Sequence, residues 1–383
     1  MDGPARTFGQ WWDSTEPRVG VSIVELTAIA QRAFESVGAT ADDAAFLTET
    51  YLDKAIQGDH ARGVGRIPSL VASARAGTLD LRPTIEVVRE TSATAVVDGG
   101  PRASGRLVCR AGMNMAIEKA RHCGIGMVGA RGSAGGLTPF VRMAIDAGMI
   151  GMAMVQSVPT VAPFGGYEPL LGNAPVAWGV PSSTLEPVIV DMSFTQSSAS
   201  PIVMAAEQGQ SVAPGLVLDE YGNPTTNAAD FPNWELTHAP GSEGLSAKGT
   251  LVPLGDSHKG FAMVFVVGLL CSILTDTSPP WELYRDVPQP GRYGTVLAAI
   301  DPSAFDPSGA VGARVDAFCD RVTSAPRKPG VEEILYPGLR SQQLRAARRA
   351  EGWFEIPRSH YDLFVRLATD IGDEGAAGLT IRP

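Results

Sequence analysis

The sequence predicts an α/β protein in which the two chain ends together build one helical unit around a central α/β unit. Two patterns predict this. Apolar residues at helical spacing dominate both ends, and the middle alternates short apolar strands with helices. A third observation, a glycine motif in the wrong setting, argues against the usual dinucleotide-binding fold. At 383 residues the chain exceeds the usual single-domain length, so two structural units are expected. Hydrophobic residues at 44% and charged residues at 19% suit a compact fold rather than extensive disorder.

Residues 1–20 are polar, with no apolar core bounded by basic residues, and read as an extension before the fold rather than a secretory signal. From Val21 two amphipathic helices follow, broken at Gly38 and restarted by Thr40, Asp42 and Asp43, a helix-start pattern. A third helix is expected from Ser69 to Arg75, after the loop GDHARGVGRIP. Beyond Pro83 the runs IEVVRE and TAVVDGG read as strands. RLVCRAGMNMAIEKARHC is then helical, GMVGA a strand and FVRMAIDAG a helix, before the strands GMAMVQS, VAWGVP and PVIVDMS. The apolar run from Phe261 to Leu274 falls short of the roughly 20 residues that span a bilayer, and is expected as a buried helix. Proline and glycine between Thr277 and Gly294 mark a crossing between units, YGTVLAAID a strand, and helices are expected around Val311–Val322, Ser341–Gly352 and Ser359–Ile371. The expected division is an extension over 1–20, a helical unit of 21–85 with 305–383, and an α/β unit over 86–304.

A net charge of -10, from 31 Lys and Arg against 41 Asp and Glu, leaves no basic footprint for nucleic acid. Neither a nucleic acid nor a membrane is expected as a partner. Cys109, Cys123, Cys271 and Cys319 are scattered and form no CxxC pair, which fits a reducing, cytoplasmic setting. No His, Asp or Glu cluster has metal-ligand spacing.

Gly124, Gly126 and Gly129 fit GxGxxG, which in a dinucleotide fold follows a strand and opens a helix. Here a helix precedes the motif and a strand follows it, so no helix N-terminus would face the phosphates. The segment from Arg131 to Pro139 is small and flexible enough for its backbone to approach an anion, and reads equally well as a plain turn. His122, His238 and His360 lack supporting neighbours and read as structural.

Six separated blocks carry more information: GDHARGVGRIP, QSVPTVAPFGGYEPLLGNAPVAWGVP, PVIVDMSFTQSS, LDEYGNPTTNAADF, PLGDSHKGFAM and LYPGLRSQQLR. In this order, from about Val21 to Ile371, the chain resembles the malate/L-lactate dehydrogenase family, which includes sulfolactate, ureidoglycolate and diketogulonate dehydrogenases and cyclic ketimine reductases. The resemblance implies a non-Rossmann, mixed-sheet central domain that binds NADPH or NADH, a helical domain closing over it, and a homodimer. It also implies cofactor contacts at Ser157, at Asp191, Met192 and Ser193, at Lys259, and at Pro337, Gly338 and Leu339. The chemistry suits the task, since Asp and Ser can hold ribose hydroxyls and a lysine at a helix start offers a cation beside phosphate. Without the resemblance, Lys259 would read as a solvated helix cap and Asp191 as a turn former.

Departures from the family pattern are concentrated at the catalytic loop. Where the family typically reads Gly-His-x-Ser-His-Gly, this chain has Gly58-Asp59-His60-Ala61-Arg62-Gly63, so Arg62 takes the place of the imidazole that gives a proton to the reduced carbonyl. A guanidinium stabilises an oxyanion but does not readily supply a proton. A second family histidine would fall within Ser133-Ala134-Gly135-Gly136, where there is none, and the family's Thr-Asn-Pro and Pro-Gly-Glu become Asn173-Ala174-Pro175 and Pro337-Gly338-Leu339. Arg66 matches the arginine that grips the substrate carboxylate and would share a face with Arg62 if the loop enters a helix, with structural ion pairs as the bland alternative. His60 is the candidate for a displaced acid, and His258 a second one beside the cofactor.

These residues imply an NAD(P)H-dependent reductase of a C=N or C=O next to a carboxylate in a small anionic substrate. An iminium would enter already protonated and need less acid catalysis. The alternative is a scaffold turned to non-redox chemistry with Arg62 and Arg66 stabilising negative charge, and a third possibility is binding without turnover.

Overall fold

The computed structural model describes residues 16–231, 249–283, 292–372 and 379–382. The described chain opens with strand β1 (Arg18–Ser22), which straddles the expected boundary at Val21 between extension and first helix. Helices α1 (Ile23–Ser36), α2 (Ala41–Ile56) and α3 (Ile67–Arg75) follow. The break between the first two falls at Gly38, in the left-handed region at φ 102°, and Thr40 caps α2 by accepting a hydrogen bond from the Asp43 backbone N–H at 3.1 Å.

Strands β2 (Glu86–Glu90) and β3 (Thr94–Asp98) lead into helix α4 (Gly105–Cys123), then β4 (Ile125–Arg131), α5 (Thr138–Asp146), β5 (Ile150–Val155), β6 (Val176–Val180) and β7 (Val188–Met192). Helix α6 (Ala199–Glu207) and three short strands, β8 (Val217–Leu218), β9 (Pro224–Thr225) and β10 (Thr250–Leu251), precede the apolar helix α7 (His258–Thr275). Strand β11 (Gly294–Ile300) returns to the sheet, and α8 (Val311–Thr323), α9 (Leu339–Glu351), β12 (Trp353–Pro357), α10 (Arg358–Asp370) and β13 (Ile381–Arg382) complete the described chain.

The central sheet runs β2-β3-β4-β11-β5-β6-β7, with β3 and β4 parallel and every other neighbouring pair antiparallel. It is a mixed sheet, without the parallel core of a doubly wound fold. One face packs against α4 and α5 through Met113, Phe140 and Val141, and the other against α7 through Val264, Val267 and Cys271. The GxGxxG glycines serve this packing. Gly126 lets the Ala116 carbonyl of α4 approach one face of β4, and Gly129 lets the Leu274 carbonyl of α7 approach the other, where an added Cβ would lie 2.6 Å away. Gly124 ends α4 in the left-handed region at φ 78°.

The two chain ends meet. β1 pairs antiparallel with β12 and with β13, and α1, α2, α3 and α10 share a core of Leu26, Phe34, Leu47, Ile67 and Phe364. Helix α8 is joined to the connection between β6 and β7, where Asp316 accepts hydrogen bonds from the Ser183 and Thr184 backbone N–H groups, and none of its residues is in that core. One expectation needs correction. Helix α7 is buried on one side only: Phe265, Val266, Leu269 and Ile273 are exposed, and by length and composition alone the helix would be apolar enough to cross a membrane. Periodicity could not show this, because the run is apolar all round. His238 lies outside the described residues.

Candidate active site

Helix α2 brings a lysine to the end of β7. Lys54 Nζ lies 2.8 Å from Asp191 Oδ2 and donates to Thr138 Oγ1 at 3.2 Å; both charged side chains are only 10% exposed. Asp191 Oδ2 also accepts from the Thr138 backbone N–H at 3.0 Å and its hydroxyl at 2.6 Å. Burial opposes the charge on Asp191, but Lys54, Arg62 and these hydrogen bonds outweigh it and hold the carboxyl well below the usual carboxylate range. The position of α2 is itself fixed by charge: Arg345 and Arg349 of α9 pair with Asp53 and Glu49.

Arg62 ends a short turn, His60–Arg62, capped by Asp59, whose carboxylate pairs with the guanidinium at 2.7 Å. The arginine side chain is 44% exposed. Burial works to lower its pKa, yet the Asp59 and Asp191 carboxylates raise it above the ordinary value, so it stays a fixed cation. Arg66 ends a second short turn, Val64–Arg66, and is exposed. The extended backbone of Gly63 between the turns (φ -93°, ψ -147°) means that Arg62 and Arg66 do not share one continuous helical face.

His60 turns elsewhere. Both ring nitrogens are buried without hydrogen-bond partners, and its charged neighbours are Arg18, His360, Arg348 and Asp59 rather than Lys54 or Asp191. Desolvation first, then those positive groups, lower its pKa to about 4. The expected displaced acid is therefore not brought to the Asp191 cluster. His360 packs against Gly65, His258 stands edge-on to Phe164 at 6.1 Å, and His122 pairs with Glu118 on the surface.

The segments holding the remaining sites are stitched together by backbone bonds. Ser157 Oγ lies 2.6 Å from Asn173 Oδ1 and accepts from the Asn173 N–H at 2.9 Å; the Phe194 N–H donates to the Asn173 carbonyl, and the Leu254 N–H to the Phe194 carbonyl. Ser193 is thereby set near Thr195, 3.0 Å between hydroxyls, and the start of α7 with exposed Lys259 follows directly. Met192 is exposed at the end of β7. Pro337, Gly338 and Leu339 lie beside the same strand: the Ile189 N–H donates to the Pro337 carbonyl, and Gly338 (φ 88°) presses so closely on Ile189 that a Cβ would meet its carbonyl at 2.5 Å. Hydroxyls, an amide and a lysine at a helix start form a donor set that fits the ribose and phosphate groups of a dinucleotide.

Sequence reasoning missed Lys54. A signal existed, because Lys54 falls on the stripe of Leu47 and Tyr51 at helical spacing, where an inward-facing charge needs a partner. That partner, 137 positions away, was invisible.

Fold and cluster together define a mixed α/β protein with a buried Lys54–Asp191 ion pair at the edge strand of its central sheet. Residues 21–363 match the family described as malate/L-lactate dehydrogenase. The L-sulfolactate dehydrogenase of Methanothermobacter thermautotrophicus is 31% identical over 363 residues, 92% of this chain and 97% of that protein. A Δ1-pyrroline-2-carboxylate/Δ1-piperideine-2-carboxylate reductase of Pseudomonas syringae pv. tomato is 28% identical over 75% of this chain and 80% of its own. The crystal structure of malate dehydrogenase from Entamoeba histolytica superposes with a TM-score of 0.84 at 23% identity, covering 93% and 99% of the two chains, a likeness of fold. The chain belongs to the malate/L-lactate dehydrogenase family. Homologues in this family are dehydrogenases and reductases that use NAD(H) or NADP(H) on small carboxylate substrates, and nothing in the comparisons favours a non-redox chemistry.

Proposed function

We propose that the protein is an NAD(P)H-dependent reductase of a C=O or C=N next to a carboxylate, with Lys54 rather than an imidazole handling the proton. The observation that carries this is the buried Lys54–Asp191 pair beside Arg62, in a chain whose catalytic loop has no histidine at the family position. Ser157, Ser193 and Lys259, with Met192, Pro337, Gly338 and Leu339 around them, would hold the cofactor. Because Asp191 commits Oδ2 to Lys54 and Thr138, its proposed part is to hold the lysine rather than a ribose hydroxyl. When bound, the reduced nicotinamide supplies a hydride, two electrons with one hydrogen, to the carbonyl carbon.

The Lys54 ammonium gives one proton to the carbonyl oxygen as the C=O π pair moves onto it, leaving a 2-hydroxy acid and a neutral amine that regains its proton from solvent. Arg62, fixed and positive, stabilises the developing oxyanion, and Arg66 grips the substrate carboxylate. An iminium substrate bypasses the proton step, since its nitrogen arrives protonated. The exposed apolar face of α7 supports a homodimer that covers it, and four free cysteines support a reducing, cytoplasmic setting. Titration of the purified protein with NADH and NADPH, followed by nicotinamide fluorescence, tests the reading: saturable binding supports it, and none at millimolar cofactor rejects it. Light scattering tests the dimer, which a monomer at micromolar concentration would contradict.

A further inference from the structure

Beside the Lys54 cluster stands a second buried cation with no counter-charge among the described residues. Arg106, in the first turn of α4, is 6% exposed, and its Nη1 has no hydrogen-bond partner. Its Cζ lies 4.2 Å from the centre of the Tyr51 ring, one turn before Lys54 on α2. Among the described residues no carboxylate pairs with it.

The loop between β4 and α5 ties the two cations together. Gly135 sits in the left-handed region at φ 65°, and a Cβ there would lie 2.9 Å from Arg106 Nη2. At the next residue, Gly136, a Cβ would lie 2.8 Å from Lys54 Cε. Two successive glycines thus leave bare backbone against a guanidinium and an ammonium stem. The group as a whole sets Lys54, Arg62 and Arg106 against Asp59 and Asp191, an excess of one positive charge. A guanidinium withdrawn from water carries a desolvation penalty that a cation–π contact offsets only in part, and an unpartnered buried donor points to a missing acceptor.

We infer that Arg106 is a specificity-determining residue that binds the distal anionic group, carboxylate or sulfonate, of a substrate carrying two acidic groups. That the bound anion is a substrate rests on the proposed reductase activity, while the anion subsite itself stands on Arg106 alone. The planar fork of arginine offers two parallel N–H donors to such a group, which a lysine cannot reproduce. Arg66 then takes the carboxylate next to the reacting carbon, and the two grips fix the carbonyl between them.

The test has two readouts on the full-length protein. In the first, kcat/KM with NADPH or NADH is measured for oxaloacetate, 3-sulfopyruvate and monoanionic 2-oxobutanoate, in wild type and Arg106→Gln. Loss of a charged hydrogen-bonded partner is expected to lower kcat/KM about 30-fold or more for the dianions and less than about threefold for the monoanion. The larger loss, for oxaloacetate or for sulfopyruvate, identifies the preferred distal group. In the second, thermal unfolding is followed with malonate, sulfoacetate or acetate, none of which accepts a hydride. Malonate or sulfoacetate should stabilise wild type, acetate should not, and the effect should vanish in Arg106→Gln. Should Arg106→Gln fail to fold, Arg106→Lys keeps the charge, and a loss of about tenfold or more on the dianions is expected from the missing fork. Equal losses on dianion and monoanion, or dianion stabilisation unaltered by substitution, would overturn the inference. Arg106-dependent stabilisation without turnover of any 2-oxo acid would retain the subsite and reject the reductase reading.

Discussion

Replacing Lys54 with methionine removes one charge of a buried pair and leaves the other behind. At 2.8 Å, with both side chains 10% exposed, the pair sits in a medium whose effective dielectric constant is about 20, where two unit charges attract by roughly 6 kcal/mol. Most of that attraction offsets the desolvation of the two groups, so the measurable quantity is the cost of stranding Asp191, generally about 3–5 kcal/mol. Thr138 and Arg62 still support the carboxylate, which places the expected loss near the lower end, about 3 kcal/mol. Removing both charges, as Lys54→Met with Asp191→Leu, should return stability to within roughly 1 kcal/mol of wild type, because an apolar pair has no desolvation penalty. Urea unfolding of wild type, Lys54→Met, Asp191→Leu and the double variant at pH 7 measures the coupling, expected at about 2 kcal/mol or more. The sign with pH follows from the depressed carboxyl: the pair stabilises above the unfolded carboxylate range, and this is lost as pH falls through the lower folded value. A Lys54→Met protein as stable as wild type, or losses that simply add, would show that the two charges are not coupled.

Three further outcomes are expected. His60, lowered from 6.5 to about 4, stabilises fully above pH 6.5, and the contribution, roughly 3 kcal/mol at most, fades as pH falls to about 4; His60→Leu should flatten that slope in urea titrations, and an unaltered slope would assign the pH dependence to other groups. Gly126→Ala drives a methyl into the Ala116 carbonyl and should destabilise by about 2 kcal/mol or more, with cofactor affinity of the folded protein unchanged; a selective loss of cofactor binding would restore the dinucleotide role of this motif. Arg66→Lys should raise KM about tenfold with kcat nearly constant, through loss of a bidentate grip, and an unchanged KM would remove Arg66 from the site.

The fold was legible where pattern and chemistry agreed. Apolar spacing in α1, α2, α9 and α10 and the flanking glycines of β4 are local signals, and the six sequence blocks carried the family. Strands β1, β12 and β13 were not legible, because each depends on a partner at the far end of the chain for its hydrogen bonds. The site divided in the same way. Arg62 could be found because it departs from a known loop, whereas Lys54 and Arg106 acquire meaning only when α2, α4 and the Gly135–Gly136 step converge. His60 is displaced by two positions from the missing imidazole, a shift that usually redirects a loop side chain, and its ring lies among Arg18, His360 and Arg348.

Single-turnover oxidation of NADPH or NADH by wild type and Lys54→Met, with a 2-oxo acid and a cyclic iminium carboxylate as the two substrates, tests the proposed proton transfer from Lys54. The variant is expected to lose about 10²–10⁴ in rate on the ketone and less than about tenfold on the iminium, which arrives already protonated. Equal losses on both, or a ketone rate indifferent to Lys54, would contradict it.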